Sequence, residues 1–283
     1  MRNARLAGAA GLLVAALGLP ALGQEAMYTQ AATTASPGTF ILREMVHFYR
    51  FGFNPQNGDE RTEKIIVDTS LQIGLARGFS LTVETPYEIT RRELPEPPAG
   101  PGNSDLDSGI RDVDLTLKYR IYQDDSGGID TLRVALFGGV MIDTPGLDEI
   151  NAHPHVGVVL TKVFGRHGVN FDTSYTLTTG GDRDDNFFGG EALADAWKYN
   201  AAYLYRLWPD AFESDSTGAL YFTAELNGTV ETNGDNDLKF SPGLMFEGRR
   251  FGLEIMGQVP VYTNVTHRGE LDFGIGVGVR FLF

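Results

Sequence analysis

Cysteine is absent from all 283 residues, which excludes a disulfide scaffold and any metal centre held by thiolates. Basic residues are outnumbered, 23 Lys and Arg against 37 Asp and Glu, for a formal charge of −14. An acidic chain without a basic stripe argues against nucleic acid as a partner. Long apolar runs are missing as well. After Pro20 no stretch approaches ~18 consecutive apolar residues, so any membrane span there must be made of strands. No segment shows the amphipathic helical period needed to cover a sheet face. Glycine, phenylalanine and tyrosine are plentiful instead, at 35, 18 and 11 residues.

The front end reads as an export signal. Arg2 and Arg5 supply the charge, Leu6 to Leu19 the apolar core, and Ala21-Leu22-Gly23 a small-x-small cleavage site, giving a signal peptide over 1–23. Residues 24–38 are rich in Ala and Thr and lack periodicity, which reads as a mobile periplasmic lead-in or a small plug. Residues 39–283 then alternate apolar and polar side chains in repeated stretches of strand length.

The end of the chain is the clearest of these stretches. In Leu271 to Phe283, LDFGIGVGVRFLF, one face carries Leu271, Phe273, Ile275, Val277, Val279, Phe281 and Phe283, and the other Asp272, three glycines and Arg280. It resembles the closing strand of bacterial outer-membrane barrels, in which a terminal Phe such as Phe283, with Phe281 two residues before it, is the signal read by the barrel assembly machinery. Similar patterns recur near 39–53, 61–76, 79–93, 109–122, 131–145, 153–164, 168–180, 193–208, 218–231, 237–248, 249–260 and 269–283. The fold class expected is therefore all-β: a closed antiparallel transmembrane β-barrel of about 12 strands, with both termini periplasmic. Tight links such as Arg77-Gly78 and Gly165-Arg166-His167 fall on one side, and long acidic links such as 94–108 on the other.

The stretches GIRDVDLTLKYRIY (109–122), SLTVETPYEI (80–89), SPGLMFEG (241–248), LEIMGQVPVY (253–262) and the GVGVRFLF ending resemble the outer-membrane barrel transporters of the "MetA-pathway of phenol degradation" type. The resemblance spans nearly the whole mature chain through loose strand patterns. It implies a barrel that passes small, apolar or aromatic compounds, and it carries over no catalytic residue.

If the apolar faces meet lipid, Lys64, Asp68, Glu84, Asp114, Lys118, Arg120, Arg133, Asp172, Lys198, Arg206, Glu225, Lys239, Glu254 and Arg280 project into the lumen. Their mixed signs suit either a wet conduit or a salt-bridged interior. Pro86, Pro242 and Pro260 fall within strands of a barrel that has no edge, so each marks a bulge or kink, which is either a simple end of pairing near the outer rim or a candidate side exit for an apolar solute. Asp182, Asp184 and Asn186 have the spacing of Ca²⁺-loop ligands, but Phe187 and Leu193 replace the required Gly and Glu. His153 and His155 share a face, as in a weak metal site or a pair of solvent-exposed rim histidines.

The expected function is passive passage of small molecules through the outer membrane. The partners are outer-membrane lipid and lipopolysaccharide, the assembly machinery and a small-molecule permeant, with no cofactor, no resident metal and no enzymatic activity. A general diffusion porin and a lipid-modifying outer-membrane enzyme are the alternatives, although no Gly-x-Ser-x-Gly occurs. A soluble sandwich would require the apolar faces to pack on one another.

Overall fold

Alternating side chains commit this chain to strands, and the strands pair in sequence order until the last meets the first. The computed structural model describes residues 25–55, 61–93, 104–126, 130–142, 152–179, 194–212 and 216–283, so the export signal expected at 1–23 and the acidic loop around Asp182 lie outside the described residues. The strands are β1 (Phe40–Phe51), β2 (Arg61–Ala76), β3 (Phe79–Glu93), β4 (Ser104–Ile110), β5 (Val113–Ser126), β6 (Asp130–Ile142) and β7 (Ala152–Phe164). They continue as β8 (His167–Thr176), β9 (Ala196–Trp208), β10 (Gly218–Glu231), β11 (Asn236–Gly248), β12 (Phe251–Asn264) and β13 (Leu271–Leu282). All pairings among the described residues are antiparallel, and β13 pairs with β1 to close the ring. The seam is locked at the chain end, where Phe40 N donates to Phe283 O at 3.1 Å and Phe283 N to Phe40 O at 2.9 Å. The closing strand thus has its last residue tied down.

Among the described residues thirteen strands make twelve staves, because β4 and β5 share one position in the wall. Both pair with β3: β5 with Phe79–Glu84, β4 with Tyr87–Glu93. The sequence suggests one unbroken strand over 109–122 and a linker over 94–108. The structure breaks the stave at Arg111-Asp112 and extends its far part back to Ser104. Pro86 explains the break, since it has no N–H to give to the ladder. Its carbonyl instead accepts Arg111 N at 2.9 Å, where the chain steps from one partner segment to the next.

The barrel is apolar outside and polar inside. Leu115, Leu136, Val156, Ile255 and Val277 are exposed, Val156 by 64%, whereas Asp68, Lys118, Asp172, Glu225 and Arg280 are buried. Charged groups are almost never buried in a water-soluble core. The apolar faces do not pack on one another, which rules out the sandwich and leaves hydrocarbon as the medium that fits them. Glu44 departs from the pattern by standing on the outward parity of β1, with its Oε2 accepting Thr69 Oγ1 at 2.9 Å.

Two details of the alternation are corrected by register. Arg50 pairs with Phe273 but Phe51 pairs with Leu271, so Asp272 is an extra residue at a bulge. Leu271 is consequently buried and borders the lumen, while Asp272 turns out to meet Arg50 at 3.4 Å. Strict alternation places both on the opposite faces. At the tight β2–β3 link Gly78 takes φ +75°, a left-handed conformation that glycine adopts without strain.

Candidate functional site: an occluded lumen

The lead-in lies inside the barrel. From Glu25 to Thr39 it follows the inner wall almost all the way round, touching successive staves. Arg280 of β13 donates to Glu25 O at 3.0 Å, and Arg43 of β1 to Ala26 O at 3.0 Å. Glu225 of β10 accepts Met27 N at 3.0 Å, Tyr28 N at 3.2 Å and Thr29 Oγ1 at 2.5 Å. Asp172 of β8 accepts Gln30 N at 2.8 Å, Thr161 of β7 accepts Ala32 N at 2.8 Å, and Lys118 of β5 donates to Ala31 O at 3.1 Å. Gln72 of β2 accepts Ala35 N at 3.1 Å just before the chain enters β1.

Composition explains how a chain can run there. Ala26, Ala31, Ala32 and Ala35 are buried against the wall, with Ala26 among Ala202, Leu204 and Tyr221, and Ala32 against Ala135, Phe137 and Val159. Small side chains let the backbone approach closely enough for wall side chains to reach its N–H and C=O groups, which must be satisfied when removed from water. At Gly74 the approach is closest. A Cβ there would lie 1.9 Å from Ser36 O.

Beyond the lead-in, a cavity of about 330 Å³ extends toward the rim opposite the chain ends. Nine of the sequence-derived lumen candidates border it: Lys64, Asp68, Glu84, Asp114, Lys118, Asp172, Lys198, Lys239 and Arg280. Glu225 is engaged with the lead-in, and Glu254 receives Arg43 through two contacts, Nε at 2.8 Å and Nη2 at 2.9 Å. Arg206 is buried with its guanidinium 4.3 Å from the Phe212 ring centre, near the rim that carries the chain ends. Arg133 faces Asp125 at 3.3 Å at the same rim, and Arg120 sits beside the Gly78 turn through its N–H to Gly78 O at 2.7 Å. These last three do not border the cavity.

Several contributors carried no sequence signal strong enough to single them out. Arg43, Met45, His47, Tyr49 and Phe51 all border the cavity. The alternate positions of β1 include Glu44 and Arg50, so neither face reads as apolar. The inward glycines of β13 make room for this row. A Cβ on Gly276 would lie 2.8 Å from His47 Nδ1, and one on Gly274 2.6 Å from the Tyr49 ring.

The three prolines coincide with irregular pairing. Pro86 marks the β4/β5 step. Pro242 belongs to a stretch where β11 and β12 miss ladder positions between Phe240 and Gly243. Pro260 pairs with Lys239 at a register shift, and past Gln258 no pairing of β12 with β13 is present among the described residues. That flare is filled by an ion network. Arg268, buried, reaches Glu231 and Asp237 at 2.9 Å each, and Lys239 reaches Asp237 at 2.9 Å.

Histidine chemistry is structural where it is described. His155 Nε2 is 2.9 Å from Thr116 Oγ1 and 3.8 Å from Asp114, and His153 Nδ1 accepts Thr179 N at 3.0 Å, so both are built into the wall instead of open to solvent. His267 Nδ1 meets Asp235 Oδ1 at 3.0 Å and Thr266 Oγ1 at 3.2 Å. A hydroxyl relay needs two different ring nitrogens, one toward the hydroxyl and one toward the acid. Here a single nitrogen serves both.

Asp235 lies in the β10–β11 turn and acts as a clasp. Burial pushes its carboxyl up, but hydrogen bonds from Thr266 N at 2.9 Å and from His267 outweigh it and hold the group below the ordinary carboxylate range. A group held low stabilises the fold above its unfolded pKa and loses that contribution as pH falls through the folded value. Asp235→Asn should therefore cost on the order of 1–3 kcal/mol at neutral pH. The difference from the parent in thermal unfolding should close in acid; a gap that persists there would contradict the clasp.

Comparison with solved structures places this architecture among outer-membrane β-barrels. The COG4313 outer membrane channel from Pseudomonas putida F1 matches with a TM-score of 0.56 at 13% identity, over 88% of this chain and 97% of that one. The β domain of the Bordetella autotransporter BrkA matches with a TM-score of 0.52 at 14% identity, over 88% of this chain and 100% of that one. No protein-family model and no curated protein matches the sequence, so the likeness to the phenol-pathway transporters remains one of strand patterns. What is shared is the fold of the outer-membrane β-barrel.

Proposed function

We propose that the chain is an outer-membrane channel for passive passage of small molecules, held closed at rest by its own lead-in, with both chain ends on the periplasmic side. Fold alone does not assign this, because the two similar barrels have different roles. The observation that carries the reading is the lumen: a cavity of about 330 Å³ with charges of both signs, floored by a segment bonded to wall side chains instead of by wall residues that fill the barrel. A barrel of purely structural purpose has no need of a separable floor. The direct test is ion conductance of the refolded full chain in a planar bilayer, where brief small openings are expected and a permanently silent bilayer would count against passage.

The broken stave favours a side exit for apolar solutes. At Pro86 the partner of β3 changes from β5 to β4, so the ladder is interrupted there. Pro86→Val and Pro260→Val restore ladder donors at two of the irregular positions. Uptake of an apolar solute should fall while that of a polar one is unchanged. Equal effects on both would remove the side exit and leave the axial channel.

A further inference from the structure

The walls of the cavity differ in chemistry. Across β2, β3 and β5 it is bordered by three carboxylates, Asp68, Glu84 and Asp114. Glu84 stands directly opposite Asp114 in the β3–β5 ladder, and Asp68, paired with Pro86, is its diagonal neighbour on β2. Like charges directly opposite on adjacent strands repel. Of the cations bordering the cavity, Arg43 is engaged with Glu254, Lys64 with Glu88, Lys239 with Asp237 and Lys118 with Ala31 O. Lys198 borders the same space and His155 Nε2 lies 3.8 Å from Asp114, so three carboxylates face fewer cations than they could pair with. Asp68 is only 4% exposed, and its Oδ1 borders the lumen without any hydrogen-bond partner. A buried carboxylate oxygen left in that state is costly unless something positive comes to it.

Next to this wall stands an aromatic one. On β1, the strand adjoining β2, His47 and Tyr49 are stacked with ring centres 5.6 Å apart and planes 9° apart, and Phe51 follows at 6.2 Å from Tyr49. All three border the same cavity. Ring faces attract cations, and flat apolar bodies pack against them. Among the described residues no three His, Asp or Glu groups are placed to hold a metal ion together, so the fit is to a larger, softer cation. A volume of about 330 Å³ is at the small end of the range for ligand pockets.

Building on the channel reading, we propose that the lumen is a binding site for small organic cations with an aromatic body. Asp68, with Glu84 and Asp114 beyond it, takes the ammonium head, and His47, its diagonal neighbour across the β1–β2 ladder, holds the ring together with Tyr49 stacked on it. Neutral aromatic solutes gain the second wall alone, and anions are repelled by the first.

The test uses the full chain in liposomes and two permanently charged probes that do not cross lipid, phenyltrimethylammonium and benzenesulfonate. The ammonium should enter several-fold faster than the sulfonate, and the Asp68→Asn, Glu84→Gln double variant should bring the ratio close to one. Equal rates in the parent, or an unchanged ratio in the variant, would overturn the cation site while leaving passage itself intact. Equilibrium dialysis of the solubilised chain separates the two readings: saturable phenyltrimethylammonium binding, lost in the double variant, supports the site even without flux. Absence of binding in the parent overturns it. Binding without entry of either ion counts against passage and not against the site.

Discussion

Glu225→Ala should open the barrel, raising single-channel conductance several-fold over the parent. Glu225 gathers Met27 N, Tyr28 N and Thr29 Oγ1, three donors that are otherwise enclosed. Deleting the acceptor leaves them unsatisfied, at about 1–3 kcal/mol each if they stay in place. A shift of ~3 kcal/mol changes the ratio of docked to released lead-in by roughly two orders of magnitude. Release lets water reach the donors, so the segment escapes most of the penalty by leaving. Glu225→Gln keeps one acceptor but turns an amide toward the same donors, and its conductance should fall between the two. Parent-like conductance in Glu225→Ala would mean that the remaining contacts, from Arg280, Arg43, Asp172, Lys118, Thr161 and Gln72, suffice to hold the floor.

Arg268→Ala should produce the largest loss of stability. Arg268 is 2% exposed and joins Glu231 to Asp237 where β12 no longer pairs with β13. Removing it leaves Asp237 with Lys239 and Glu231 with no more than the Asn233 amide among the described residues, a defect worth about 3–5 kcal/mol. The heat-induced mobility shift of the barrel on gels should move to clearly lower temperature. Arg268→Lys keeps the charge but cannot span both acids as a planar fork, so it should recover only part of the loss. An unaltered transition in Arg268→Ala would show that the flare is held by its backbone and not by this network.

Barrel, strand order and the two-faced wall were legible in the sequence because a period of two survives wherever lipid meets one face and water or charge the other. Val277 and Leu115 face outward while Arg280 and Asp114 face inward, as alternation requires. Legibility fails where the period slips. The Asp272 bulge reversed Leu271, and the step at Pro86 split one stave in two. Proline in an edgeless barrel signalled that pairing would be disturbed, but not which partner would change. The docking of the lead-in was hidden for a different reason. Its Ala and Thr residues have no period, and its anchors are single polar groups on staves far apart in sequence, Met27 and Glu225 being 198 positions apart. Small-residue composition is the one trace of close packing that the segment carries. The aromatic row of β1 was masked by Glu44 and Arg50 on the opposite parity.

Direct evidence on the occluded lumen comes from single-channel recording of the chain that starts at Glu25 beside the same chain lacking residues 25–38. Removing the floor while sparing the Phe40 to Phe283 seam should convert rare, small openings into a larger and steadier conductance. Identical traces from the two proteins would contradict the account, since the lead-in would then lie outside the conducting path.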